Sequence, residues 1–575
     1  MPPSTTVDAP APLAGVRPRV RAETVGVALA LCVVAWLVVV PLGYLAWRGF
    51  TEGGEPTLDH LREVFGVVGF ESILVATTVF SLGSAALGLA IGGTLAFLFV
   101  RTDLPFRRVL LLVSLTPLLV PGILMTFAWI FLASPRAGIL NGLLEPLVGP
   151  GAVDVFGLPG MVFVESLRLA PIAMLVLAGS LRAVDPALEE SAIVSGVGRL
   201  TVLRRVTLPV LRPAIGATGL LLTLLAIESF DVPVLLGIPG DVRVITSGIW
   251  ASYQRSAGEL GSVAAGGTLL LVLTVIGTMA LAGATRGRRR FETIGRGFGV
   301  DRRVPLGRWR TPALLAVLGY LAIAVGMPLA ALAWMSTQPY LAPVSRDALG
   351  RASGDGYAAV FREEATRDAI VHSLAYALVA ATLITALALG VTWLAARSRA
   401  RGHRLVEVLA FAPIAVPGLV LGAGILVLYV RLPVNVYGTA AVLVVAYLTL
   451  YLPHAVRFQG AGMSQVGREV EEAATASGVR RIPTLTRITL PLIAPAVAAA
   501  WVVALLLSLY DVAASLLLYA PGTEVIGVRL WELYEAGSFR DLAALGIVCA
   551  VPALALGALA LSRGGLVAAP RGGGR

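Results

Sequence analysis

Long apolar runs separated by short arginine-bearing segments dominate the chain. A helix needs about 20 apolar residues to cross the hydrocarbon of a bilayer. Twelve runs of that length occur, at about 25–47, 73–100, 109–133, 160–181, 212–236 and 261–284, then at about 311–335, 371–396, 406–430, 437–456, 492–518 and 542–562. Residues 1–24 are polar and proline-rich, and the first run is too long for a signal peptide and lacks a small-residue cleavage site, so it reads as an uncleaved span. The pattern predicts an all-α polytopic membrane protein with about 12 transmembrane helices.

The polar segments orient these spans, because cytoplasmic loops carry the excess of arginine and lysine. With the N-terminus in the cytoplasm, the inner segments are 1–24, 101–108, 182–212, 286–310, 397–404, 457–487 and 563–575, and they hold 32 of the 45 arginines but only 11 of the 34 acids. The inner side is then +21 and the remainder −10. The opposite orientation would place Arg286, Arg288, Arg289 and Arg290 outside. An even number of spans puts both termini in the cytoplasm, and the protein reads as multi-pass in the cytoplasmic (inner) membrane.

Composition narrows the chemistry. Of the residues, 57% are hydrophobic and 14% charged, and lysine is absent. Without lysine there is no Walker A phosphate loop and no Schiff-base chemistry. Cys32 and Cys549 lie in apolar runs, and His60, His372, His403 and His454 are scattered, so neither a disulfide framework nor a metal site is expected.

The chain also repeats itself. Residues 189–215 (EESAIVSGVGRLTVLRRVTLPVLRPAI) and 471–497 (EEAATASGVRRIPTLTRITLPLIAPAV) share 14 of 27 positions without a gap. Thr116–Gly122 resembles Ala412–Gly418, and Phe230-Asp231 resembles Tyr510-Asp511. The copies fall on the same side of the membrane, six spans apart, which makes a parallel repeat about an axis along the membrane normal. The organisation expected is a cytoplasmic tail (1–24), a first repeat (25–285), an arginine-rich linker (286–310), a second repeat (311–563) and a cytoplasmic tail (564–575).

In the first copy Asp185 and Pro186 suit a helix start, Glu189 and Glu190 favour the positive end of its dipole, and Gly196 can end it. A second helical stretch follows, with Leu200, Leu203 and Val206 on one face, and Leu208-Pro209 is expected to break it before the next span. A short charged helix held at the membrane surface suits docking into a partner.

The spacing Glu-Ala-Ala, three residues, Gly, nine residues, Ile, one residue, Leu-Pro resembles the cytoplasmic signature of permease subunits of binding-protein-dependent ABC importers. The second copy has Glu472, Ala473, Ala474, Gly478, Ile488, Leu490 and Pro491; the first keeps Glu190, Ala192, Gly196, Leu208 and Pro209, with Ser191 and Val206 as replacements. The resemblance covers nearly the whole chain as two fused permease units of the type I importer fold. It implies that the motif segments, Glu189 and Glu471 included, couple to a separate ATP-binding subunit, present as a pair. ATP and Mg would be held by that partner, with no cofactor on this chain, which is a transport subunit and not itself an enzyme. An extracytoplasmic substrate-binding protein would deliver cargo. The fused arrangement, with Ala128-Trp129-Ile130-Phe131 leading to Ser134-Pro135-Arg136, is most similar to the ferric-iron branch, while thiamine, polyamine and phosphonate-type permeases are built alike.

Charged residues inside spans are candidate functional sites. Glu165 and Arg168 are three apart in the fourth span and can neutralise each other. Glu228, Asp231 and Asp511 stand near the outer ends of the fifth and eleventh spans, either as an acidic vestibule for a cation or as hydrogen-bond acceptors where the helices unwind. Pro117, Pro121 and Gly122, and Pro413, Pro417 and Gly418, interrupt the third and ninth spans, either as plain kinks or as a pathway or gate. An ion-coupled secondary transporter also fits twelve spans with buried carboxylates, but gives the duplicated motif no role. A membrane-embedded enzyme finds no nucleophile and base.

Overall fold

The computed structural model describes residues 16–66, 69–184, 189, 191–192, 194–255, 260–286, 304–398, 400–433 and 435–563. Most of the two tails and of the arginine-rich linker, together with Asp185, Pro186 and Glu190, lie outside them. The described chain is almost entirely helical, with one two-residue hairpin pairing Thr51–Glu52 with Glu55–Pro56.

Among the described residues, nine helices are long and apolar enough to cross a membrane: Glu23–Gly49, Phe70–Arg101, Leu158–Ala183, Leu203–Glu228, Leu260–Gly283, Gly307–Met335, Glu364–Arg397, Ala440–Gln465 and Arg481–Leu509. They correspond to the first, second, fourth to eighth, tenth and eleventh runs. The helix Phe539–Arg563 stands at the twelfth.

The third and ninth runs are not single helices. Arg107–Leu119 meets Gly122–Ala133 at 97°, and His403–Ala415 meets Gly418–Tyr429 at 108°. Proline pushes the residue before it out of the helical region. Accordingly Val120 is extended (φ −90°, ψ 135°), Pro121 follows at φ −51°, ψ 131°, and Pro417 repeats this at φ −54°, ψ 139°. Each break is a sharp turn and not a plain kink.

Two other expectations change. The fifth helix ends at Glu228 and the eleventh at Leu509, short of the expected 236 and 518, and shorter pieces follow, Pro233–Gly237 and Ala513–Leu518. Leu208-Pro209 does not break its helix either. One wide π turn, Leu203–Thr207, runs directly into Leu208–Glu228, and Leu485–Thr489 does the same before Leu490–Leu509. A π turn shifts the hydrogen-bond register by one residue, so the missing N–H of Pro209 or Pro491 is absorbed without ending the helix.

The helices pack as two compact units, each drawing on both sequence repeats. One contains residues up to Gly43, Ala375–Ile414 and Ala441–Leu509; the other contains Tyr44–Leu374, Ala415–Ala440 and Tyr510 onward. The first span thus packs with spans of the second repeat, as where Gly26 approaches Leu394. The seventh packs with the first repeat, where Val317 and Leu321 join Leu95, Phe99, Met174 and Leu177 in one buried cluster. Lipid tails are as apolar as leucine, so helix pairing here rests on close van der Waals approach. Gly92 of the second span supplies it: a Cβ there would lie 2.3 Å from the Ala170 carbonyl oxygen of the fourth.

Candidate functional site

The motif segments share one local geometry. In the second copy Arg468–Ala476 is a short helix, closed by bonds from the Gly478 N–H to the Thr475 carbonyl and from the Val479 N–H to the Ala474 carbonyl, both 3.0 Å. This pair of bonds ends a helix on a left-handed residue, and Gly478 has φ +83°. The first copy reproduces it, with Gly196 at φ +83° and the Val197 N–H 3.1 Å from the Ala192 carbonyl. Nothing lies within 4 Å of a Cβ at either glycine, so backbone conformation, and not space, demands glycine.

The first glutamate of each pair turns inward. Glu189 Oε1 accepts a 2.8 Å hydrogen bond from Thr207 Oγ1, and Glu471 Oε1 accepts one of the same length from Thr489 Oγ1. Arg101 stands 3.5 Å from Glu189, and Arg397 Nε donates to Glu471 at 3.1 Å. Glu472 and Ala473 are exposed, Ala474 is buried, and Ile488 and Leu490 are half-buried with Pro491 exposed. In the first copy Ala192 and Pro209 are half-buried and Leu208 exposed. Neither the arginines nor the threonines are among the residues the motif spacing singles out. The threonines were visible as identities within the repeat; the arginines, at the far ends of other spans, had no local signal.

Charges in the spans converge on the break in the third. Glu165 is fully buried and receives Arg168 Nη2 at 2.6 Å and Ser229 Oγ at 3.0 Å. The same Nη2 donates to Ser229 Oγ at 3.1 Å, and Arg168 Nη1 lies 3.6 Å from Asp231. Asp231 also accepts from Thr126 Oγ1 at 3.3 Å. A Cβ on Gly122 would come within 2.8 Å of Asp231 and 3.2 Å of Arg168, so the network lies directly over the turn that Pro121 makes. Glu228, half-buried at the last residue of the fifth span, stays outside it. Asp511, the counterpart of Asp231, instead accepts the Ser515 N–H and hydroxyl at 2.9 and 2.8 Å, holding the start of Ala513–Leu518. Asp511 takes the hydrogen-bonding role expected where the helix unwinds, whereas Asp231 joins a charge network that neither expectation named.

Aromatic side chains meet beside this network. Ile245–Arg255 and Ile526–Glu535 are short helices in equivalent places of the two repeats, and their tryptophans, Trp250 and Trp531, pack edge to face at 5.5 Å and 82°. Phe230 packs on Trp250 at 5.5 Å and Tyr534 beside Trp531 at 6.0 Å. Thr246 Oγ1 donates to the Ser229 carbonyl at 2.8 Å, tying the first of these helices to the residue that bridges Glu165 and Arg168. Among the described residues no group of three or more His, Cys, Asp or Glu is placed to hold a metal ion.

Comparison with known proteins matches residues 85–290 and 387–567 to the family described as the binding-protein-dependent transport system inner membrane component. The ferric transport system permease protein FbpB of Actinobacillus pleuropneumoniae is 22% identical over 534 residues, covering 92% of this chain and 76% of that protein. The putative ferric transport system permease protein FbpB 1 of Haemophilus influenzae is 24% identical, covering 75% and 68%. The putative 2-aminoethylphosphonate transport system permease protein PhnV of Salmonella typhimurium is 29% identical, covering 32% of this chain and 68% of its own. The family match falls once on each repeat, and this chain therefore belongs to the binding-protein-dependent transport system inner membrane components, as a fused, two-unit, multi-pass ABC importer permease.

Proposed function

We propose that this chain forms the membrane path of an ATP-driven importer, with both termini in the cytoplasm, whose two motif segments dock into a pair of separate ATP-binding subunits. Closure of those subunits on ATP and Mg, which this chain does not bind, moves the two repeats between inward-open and outward-open states. An external binding protein delivers the solute. The observation that carries this reading is the duplicated motif: in both copies a left-handed glycine ends the helix and the first glutamate is held inward, and in the second, where both glutamates are described, Glu472 faces out.

Ferric iron is the proposed cargo. Three relatives that each span three quarters or more of the chain carry ferric transport in their names, and Glu165, Arg168 and Asp231 leave one negative charge over the break in the third span, which favours a cation. The 2-aminoethylphosphonate relatives support a second reading over a third of the chain. Reconstitution with the ATP-binding subunit and the binding protein decides between them. Uptake and ATP hydrolysis stimulated by the binding protein loaded with ferric iron are expected, and stimulation by the phosphonate-loaded protein alone would replace iron as cargo.

A further inference from the structure

We propose that Arg101 and Arg397, acting with Thr207 and Thr489, are positioning residues that lock each motif segment to the inner ends of the spans, so that movement of the segment is passed to the membrane helices. This rests on the coupling role proposed above for the motif. Arg101 is the last residue of the second span and Arg397 the last of the eighth. Arg101 Nη2 donates to the Leu181 carbonyl at 3.0 Å and the Val184 carbonyl at 3.4 Å, at the end of the fourth span, and it is the same nitrogen that faces Glu189. Arg397 divides the work: Nε donates to Glu471 at 3.1 Å while Nη2 donates at 2.7 Å to the Val466 carbonyl, just past the end of the tenth span. Each glutamate also accepts from the threonine in the π turn that opens the next span. One arginine and the glutamate it faces thus join the motif segment to three spans, and they do so in both halves.

The same corners hold the leads into the spans that pack with the other repeat. The Val304 N–H donates to the Arg101 carbonyl and the Leu306 N–H to Asp103 Oδ1, both at 2.8 Å, before the seventh span. Glu23, at the start of the first span, accepts from Ser398 Oγ at 3.0 Å and pairs with Arg481 in the second motif segment. The arrangement separates the roles of the paired glutamates. Glu471 spends its carboxylate inward, on Arg397 and Thr489, whereas Glu472 faces solvent and is free in direction to meet a partner. Charge-assisted bonds of this kind are the strong ones, and losing the arginine strands a largely buried carboxylate.

The test uses the complete complex and reads three quantities: retention of the ATP-binding subunit, basal ATP hydrolysis, and solute taken up per ATP hydrolysed. In the double variant R101M/R397M we expect partner retention and basal hydrolysis within twofold of wild type, with uptake per ATP reduced at least tenfold. Lysine should restore much of this at position 101, where among the described residues Nη2 alone makes the contacts and Nε finds no partner, and little at 397, where two nitrogens are used. Unchanged uptake per ATP, or equal rescue by lysine at both sites, overturns the proposal. Loss of the partner from a folded double variant overturns it too, by making the arginines docking groups. Should the double variant fail to assemble, T207V/T489V removes one neutral bond per copy, and a drop in uptake per ATP of severalfold is expected, with no drop refuting the lock. The coupling role itself is read separately from E190R/E472R, which should lose the partner whatever the arginines do.

Discussion

Arg168→Met tests the charge network most sharply. The substitution keeps most of the side-chain volume but removes the donor 2.6 Å from Glu165, the bond to Ser229 and the positive charge 3.6 Å from Asp231. Glu165, with no exposed surface, is left with the Ser229 hydroxyl as its partner among the described residues. Breaking a buried pair from one side leaves an uncompensated charge and costs about 3–5 kcal/mol. Unmaking an ordinary intramembrane hydrogen bond costs only about 0.6 kcal/mol on average, so the two cases are well separated. The assay is reversible SDS-titrated unfolding of the purified permease, run on R168M, E165Q and the double variant E165Q/R168M. Because E165Q removes the stranded charge, the double variant should recover at least half of the loss, and the cycle should give a coupling of about 2 kcal/mol or more. If R168M costs under about 1 kcal/mol, or the double variant is no better than R168M, the pair does not neutralise itself in the fold and the reasoning fails.

Other perturbations follow from single contacts. Trp250→Ala or Trp531→Ala removes an edge-to-face pair worth about 0.5–1.5 kcal/mol beyond its buried area; in the same unfolding titration each single variant should lose stability and the double-mutant cycle should give a coupling in that range, and additive losses would deny the pair any mutual stabilisation. Gly196→Val and Gly478→Val force a β-branched residue to φ +83° with no steric neighbour to blame. Each should cost on the order of 1–2 kcal/mol and weaken partner retention, with asparagine milder than valine, and equal effects of the two would refute the backbone explanation. Burial raises the Glu363 carboxyl, but hydrogen bonds from Arg529 and Thr366 and the Arg529 charge outweigh it and hold the group below the ordinary carboxylate range. A lowered value in the folded state means this contribution is complete above the unfolded carboxylate pKa and fades as pH falls through the folded one. The pair is partly exposed, so the effect is under about 1 kcal/mol, and Glu363→Gln should remove that part of the acid sensitivity in a thermal melt taken from pH 6 down to pH 3.

Much of this was legible along the chain because a membrane makes strict demands on length and charge. The helices needed only an apolar count, and the motif copies needed only self-comparison. What sequence could not give was direction and partnership. The breaks at Pro121 and Pro417 are visible in the sequence, but that the chain turns there by about a right angle and does not merely kink is not. Leu208-Pro209 looked like a stop because proline usually is one, and the π turn that absorbs it is set by the whole helix. Asp231 and Asp511 align in the repeat yet do different work, one in a charge network and one at a helix start. Arg101 and Arg397 were counted only as topology signals, since their acceptors come from spans about 70 to 90 residues away.

The claim at the centre is that the duplicated motif segments carry the drive from a separate ATPase. The direct measurement is ATP-dependent uptake in proteoliposomes by the complex carrying Glu190→Arg and Glu472→Arg, with retention of the ATP-binding subunit read on the same preparations. A folded permease that loses both the partner and uptake is expected, while either single variant retains part of each. A double variant that keeps its partner and transports at the wild-type rate would contradict it.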